Sequence, residues 1–294
     1  MVPLTDDISR RRSLSRLAMQ FASHPRSNLR KWDAWRAHEA KISQILEDQR
    51  RSKAAGRFEA DFTAFQALSR QEGDRLPVRR EDLYPCLDDG SANTSFDAHY
   101  IYHPAWAARI LARTRPAQHV DISSIVSFCA VVSAFLPVEF YDFRPAPLKL
   151  DNLQSGSADI CRLQFAEGSI PSLSCMHVIE HIGLGRYGDP LDASGDLKAV
   201  RELVRVLAPG GDLLVVVPVG RPRVQFNAHR VYDFTGFRDY FSDLELIELA
   251  LLPDDAGGGL IIDPPADLVN AQSYGCGCFW FRKTKVRSGG GPRK

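Results

Sequence analysis

The chain has 294 residues, 44% apolar and 25% charged, with a formal net charge of +1. That length supports a substantial core in one large domain or two small ones, and the balanced charge points to neither nucleic acid nor a membrane surface. No apolar run approaches the ~20 residues of a membrane-spanning helix, and the first residues lack a signal-peptide pattern, so a cytoplasmic protein is expected.

In chain order, residues 1–71 read as helical. Trp35, Ile42, Ile45 and Leu46 form one apolar stripe, and Phe58, Phe62, Phe65 and Leu68 another. Between Arg10 and Arg57 there are 13 Lys and Arg against four Asp and Glu. This basic segment reads as a solvated face flanking a core or homo-oligomer stripe, with an anionic polymer or membrane surface as the other reading. Arg10 to Arg12 are too few for a targeting signal. Residues 72–99, with Pro77, Pro85 and Gly90, read as a linker or ordered wrap. Pro104 is expected to start a helix over 105–113.

From Gln118 strands alternate with helices. Strands are expected at 119–122, 138–142, weakly at 158–161, and at 173–179, with a helix over 126–135 after the first. A helix over 196–207 carries Leu197, Val200, Leu203, Val204 and Leu207 on its apolar positions, and Gly210 and Gly211 are read as its end. Residues 213–217 are an apolar, Val-rich run of the kind buried on both faces of a sheet. Two last strands, 244–251 and 276–283, flank a Gly, Asp and Pro-rich insertion at 253–270, and the tail 285–294 reads as disordered. The expected fold is α/β: a Rossmann-like, mostly parallel sheet of about seven strands with an antiparallel edge, filling 100–284 behind the helical N-terminal segment.

Six cysteines are present (Cys86, Cys129, Cys161, Cys175, Cys276 and Cys278), without a C-x-x-C pair. A zinc ribbon is therefore not expected. Cys276 and Cys278 share one face of a strand and read as buried, reduced thiols.

The chemistry concentrates between residues 174 and 189. An apolar run ends in His177, Glu180 and His181, followed by Gly183, Gly185 and Gly188 with Arg186 and Asp189 among them. The carboxyl end of a buried strand is where open α/β sheets bind their ligands. Three readings stand for the cluster. It is structural; or its i, i+3, i+4 spacing presents His177, Glu180 and His181 to a divalent metal across a helical turn; or it is a His-x-x-Glu-His zinc peptidase motif, which needs a regular helix. Imidazole and carboxylate together suit Mn, Fe or Zn better than Mg. Without a metal, His181 or His229 is the expected general base, with Glu180 beside them. Arg186, Asp189 and Arg230 are read either as substrate-orienting groups or as loop-fixing ion pairs.

Residues 100–284 resemble the class I S-adenosylmethionine-dependent methyltransferases. The resemblance rests on Asp121 closing the first strand, Asp142 closing the second, an acidic residue at Asp159, and the order of the strand before Glu180 and His181, Pro209 to Gly211, and an apolar strand ending in Pro218. Glu180 to Asp189 with Phe226 to Arg230 looks closer to an uncharacterised methyltransferase-like branch. The resemblance implies S-adenosylmethionine bound by Asp121, Ser123, Asp142 and Asp159. Ser123, Ile125 and Ser127 stand where that family has glycines. The Glu-His pair also resembles the metal motif of small-RNA 2′-O-methyltransferases and ubiquinone-pathway O-methyltransferases, which implies His229 as fourth ligand to a metal on His177, Glu180 and His181. The expected activity is O-methylation of a hydroxyl-rich small molecule or glycan, with the divalent-metal assistance that this motif implies. Set beside it are an inactive methyltransferase-fold scaffold, motivated by Ile125, and an RNA 2′-O-methyltransferase.

Overall fold

The computed structural model describes residues 25–73, 75–90 and 92–284, with side chains described from residue 38 onward. Arg10 to Arg12, the side chain of Trp35 and the tail from residue 285 lie outside the described residues. The chain divides into two compact units, Met1–Ser95 and Phe96–Lys294.

The first unit contains one long helix, α1 (Pro25–Gln71). Ile42, Ile45, Leu46, Phe65 and Leu68 are exposed on it. Residues after the helix fold back onto it. Gln66 donates to the Val78 carbonyl, and Arg80 pairs with Glu59 at 3.0 Å while lying over the Phe62 ring.

The second unit opens with α2 (Ala98–Thr114), whose N-cap Asp97 accepts from the Tyr100 N–H. The expected start at Pro104 is corrected: the helix begins six residues earlier and runs through the proline. Proline inside a helix costs about 3 kcal/mol. Burial of His103, Trp106, Ala107, Ile110 and Leu111, spaced i, i+3, i+4, i+7, i+8, offsets that cost and keeps the helix continuous.

Then follow β1 (His119–Ile122), α3 (Val126–Val132), β2 (Val138–Asp142), β3 (Leu153–Ser157), β4 (Ile170–Met176), α4 (Gly195–Val206) and β5 (Leu207–Val219). A small hairpin, β6 (Arg223–Gln225) and β7 (His229–Val231), leads through α5 (Phe234–Asp239) to β8 (Leu244–Leu252). The insertion holds β9 (Ile261–Ile262) and α6 (Ala266–Asn270) before β10 (Gly275–Lys283). Eight of these strands form one sheet in the order β3-β2-β1-β4-β5-β10-β8-β9. β3 to β5 pair in parallel, while β10 is antiparallel to both β5 and β8. This is the expected mostly parallel α/β sheet with an antiparallel edge.

Several boundaries differ from expectation. α3 stops at Val132, and Phe135 lies exposed beyond it. β3 is Leu153–Ser157, not 158–161. It is a polar edge strand whose pairing to β2 demands no apolar face, and a Cβ on Gly156 would come within 2.7 Å of the Tyr141 ring. α4 ends at Val206, and Gly210 and Gly211 belong to the bulged start of β5 rather than to a helix cap. Along β5, Leu213, Val215 and Val217 enter the core on one face of the sheet, while Leu214 and Val216 enter the other. The two-sided burial expected of that run is found.

The strand order reverses between β1 and β4. That switch point, at the carboxyl ends of β1, β2 and β4, is where an open sheet leaves a crevice.

Candidate active site

β4 delivers its last residues to this crevice. His177 follows Met176 directly, with a left-handed backbone at φ 56°. Such a conformation in a non-glycine residue costs on the order of 1 kcal/mol or more and persists only where its surroundings hold it. The His177 N–H donates to Val216 of β5, and the ring is packed by His99, Tyr100 and His103. Its Nδ1 lies 2.8 Å from Glu180 Oε1, and its Nε2 lies 3.5 Å from Cys276 Sγ on β10. Burial opposes charge on this ring. The hydrogen bond to Glu180 and its carboxylate work the other way, and the pKa of His177 is raised.

Glu180 and His181 stand on a single 3-10 turn, Ile179–His181. One turn followed by Gly183 is not the regular helix that a zinc peptidase motif requires. Glu180 is 1% exposed, and its Oε2 has no hydrogen-bond partner among the described residues. His181 Nδ1 lies 2.6 Å from the Ala228 carbonyl, so this nitrogen carries the proton and Nε2 keeps its lone pair. That Nε2 is 3.9 Å from Glu180 Oε1.

The loop beyond is fixed by Asp189. Its carboxylate accepts from the backbone N–H groups of Gly183, Gly185 and Tyr187. Desolvation is the largest single influence and raises its pKa, but these bonds together outweigh it and hold the pKa below the usual carboxylate range. Gly183 has φ 80°, and a Cβ there would lie 2.1 Å from the Asp192 carbonyl oxygen, so only glycine fits.

Two cavities meet at this turn. The larger, about 660 Å³, is lined by His99, Tyr100, Glu180, Arg186, His229 and Tyr274 among others. The smaller, about 390 Å³, lies against Ser123, Asp142, Asp159, Gly183 and Asp189. His177, His181 and Tyr187 line both. Asp142 ends β2 and accepts from the Arg144 N–H. Asp159 accepts from the Cys161 N–H. These bonds fix the two carboxylates on one wall. Ser123 has φ 59°, a glycine-like turn occupied by serine.

Not every expected site residue reaches a cavity. Asp121 is fully buried and accepts from Ser124 N–H and the Ser174 hydroxyl, so it braces the β1 turn from below. Ile125 packs into the apolar layer with α3 and lines neither cavity. Arg230 is also turned inward. It donates to the carbonyl of Ile182 at 2.7 Å, with longer bonds to those of Glu180, Asp192 and Ala193, and pairs with buried Asp196 at 3.5 Å. Here it fixes the loop and lines neither cavity. Arg186 does face the larger cavity.

The four expected metal ligands do not converge. His229 Nε2 binds Gln225 Oε1 at 2.8 Å, and its ring centroid is 6.4 Å from that of His181. Burial lowers the pKa of His229. Among the described residues, only His99, His177 and Cys276 bring three candidate donor atoms within 4.8 Å of one another. His99 and Tyr274 are site residues that the sequence reading missed. A sign of the first was Asp97 as a helix cap, which sets His99 on the opening turn of α2.

Residues 164–249 match the model of a family described as Caenorhabditis protein of unknown function, DUF268. No curated protein matches the chain. Among solved structures, the chain is similar to the N-methyltransferase NodS from Bradyrhizobium japonicum WM9 in complex with S-adenosyl-L-homocysteine, at 16% identity over 74% of this chain and 97% of that one, with a TM-score of 0.44. It is also similar to the Burkholderia thailandensis 1,6-didemethyltoxoflavin-N1-methyltransferase, at 12% identity over 62% and 79%, with a TM-score of 0.43. At these TM-scores the fold itself rests on the strand order given above.

Proposed function

We propose that residues 96–284 form an S-adenosylmethionine-dependent methyltransferase that acts on a hydroxyl group of a small-molecule or glycan acceptor. The observation that carries this reading is the meeting of the two cavities at His181. One cavity offers Ser123, Asp142 and Asp159 at the carboxyl ends of the strands; the other offers Glu180, Arg186 and His229.

The smaller cavity suits the cofactor. Asp142, at the end of β2, has the place and chemistry to accept from ribose hydroxyls, and Asp159 to meet the adenine. The left-handed turn at Ser123 supports a close backbone approach. Bound S-adenosylmethionine supplies an electrophilic methyl group. The Ile125 side chain, which motivated the scaffold reading, packs away from this cavity.

The larger cavity suits the acceptor. The unpartnered Oε2 of Glu180 calls for a donor, because a buried acceptor left without one costs about 1–3 kcal/mol. An acceptor hydroxyl supplies it. His181, its tautomer set by Ala228, has Nε2 free to take the hydroxyl proton as that oxygen bonds to the methyl carbon. Methyl moves from sulfur to oxygen, and the proton passes to His181. Arg186 orients the acceptor. The quartet of His177, Glu180, His181 and His229 has no part as a metal site in this scheme.

Calorimetric titration with S-adenosylmethionine and S-adenosylhomocysteine tests the proposal. Saturable binding that weakens at least tenfold in Asp142→Ala supports it. Absence of binding to either compound by the folded protein overturns it.

A further inference from the structure

Three separate elements bring soft donors to one point. His99 comes from the first turn of α2, His177 from the end of β4, and Cys276 from β10. Their donor atoms all lie within 4.8 Å of one another, and the His177 Nε2 to Cys276 Sγ separation is 3.5 Å. Tetrahedral zinc, with nitrogen at about 2.0 Å and sulfur at about 2.3 Å, places adjacent nitrogen and sulfur ligands about 3.5 Å apart.

The surroundings match those of a metal ligand set. The Nδ1 of His177 faces the Glu180 carboxylate at 2.8 Å, which aims Nε2 at Cys276. A carboxylate behind a histidine in this way orients the ring and strengthens it as a ligand. Glu180 is buried, and its Oε2 has no hydrogen-bond partner among the described residues. His99 is stacked on Tyr274 at 5.3 Å between centroids and 7° between planes, and on His177 at 5.4 Å. A Cys276 thiol bonded to His177 would explain the 3.5 Å distance. It would not explain a third donor from another element.

We propose that His99, His177 and Cys276 form a three-ligand site for a thiophilic divalent cation, for which Zn2+ fits best. One thiolate and two imidazoles select zinc over magnesium or calcium. Three protein ligands leave a fourth position, and His99 and His177 line the larger cavity, so that position opens toward it. A water or an acceptor heteroatom can occupy it. On binding, the Cys276 S–H bond is replaced by a sulfur–metal bond, and the proton passes to the buffer. The site differs from the quartet expected from the sequence, and it does not depend on the methyl-transfer reading.

The test uses the full chain, stripped of metal, titrated with Co2+ alone and followed by absorption. The expected result is one equivalent bound, with a thiolate-to-cobalt charge-transfer band and the visible bands of four-coordinate cobalt, both bleached by Zn2+. Cys276→Ser should abolish the charge-transfer band, Cys278→Ser should keep it, and His99→Ala should weaken binding more than about tenfold. Should Cys276→Ser fail to fold by circular dichroism, His99→Ala decides alone. No charge-transfer band in the folded native protein, a band that survives in Cys276→Ser, or unchanged affinity in His99→Ala overturns the proposal. S-adenosylmethionine binding, measured on the same sample, reports on the other reading separately.

Discussion

His119 and Asp121, two positions apart on β1, are joined through one hydroxyl. His119 Nε2 lies 2.8 Å from Ser174 Oγ, and that hydroxyl donates to Asp121 Oδ2. Ser174 can donate to Asp121 only if it accepts from His119, so the His119 proton sits on Nε2, and Nδ1 accepts from Ser172 at 2.8 Å. Burial pushes the His119 pKa down to about 3. Burial pushes Asp121 up to about 6, although hydrogen bonds from Ser174 and Ser124 oppose it.

These two shifts pull stability in opposite directions. A depressed histidine contributes stability that is complete above its unfolded pKa of about 6.5 and is lost as pH falls. A raised carboxyl contributes stability that is complete below about 4 and is lost as pH rises through its folded value. Between about pH 4 and 6 they cancel, each with a slope near ~1.4 kcal/mol per pH unit. Asp121→Asn should therefore gain stability relative to the native protein as pH rises from 4 to 6, and His119→Gln should lose it. Urea unfolding at several pH values checks this; equal slopes in the two variants would refute the pairing.

The loop after the site separates two kinds of glycine. Gly183→Ala would drive a Cβ into the Asp192 carbonyl, whereas Gly188, with φ 85°, has nothing within 4 Å of such an atom. The first substitution should cost roughly 3 kcal/mol or more, and the second about 1–2 kcal/mol from backbone strain alone. Comparison of urea midpoints at constant m-value measures both.

Arg230→Met should behave as a stability mutation. It leaves Asp196 buried without its cation and four carbonyls short of a donor. Loss of one partner of a buried pair costs about 3–5 kcal/mol. Thermal unfolding should show a large fall in Tm, and the fraction that stays folded should keep its cofactor affinity.

His181→Gln should lower turnover by about 10²- to 10⁴-fold, the usual contribution of a positioned general base. Cofactor affinity measured by calorimetry should change by less than about tenfold. A variant that keeps turnover would move the base elsewhere, with His229 as the next group in the same cavity.

Much of the fold could be read from local pattern. The alternation of β5 and the amphipathic spacing of α4 are properties of consecutive residues, and both elements are where that spacing places them. β3 escaped because an edge strand can be built from Gln154, Ser155 and Gly156 with little apolar face. The start of α2 escaped because Pro104 outweighed the quieter signal of the Asp97 cap. In the site, His177, Glu180 and His181 were visible as a cluster. His99 and Cys276 were not paired with them, because 78 and 99 positions separate each from His177 and only the folded sheet brings them together. Arg230 takes the loop-fixing one of its two readings for a period-two reason. It neighbours His229 on β7, and adjacent strand residues point to opposite sides.

β10 is the last described strand in chain order, yet it lies inside the sheet, antiparallel to β5 on one side and β8 on the other. Until it docks, both neighbours present unpaired edges, and the wall that carries Cys276 is missing. Any product that ends within the preceding insertion would carry the smaller cavity's carboxylates but neither Tyr274 nor Cys276. It would also expose two apolar strand edges open to pairing with another chain. Assembly of the larger cavity is thereby tied to completion of the sheet, so a partly folded chain is more prone to aggregate than to act.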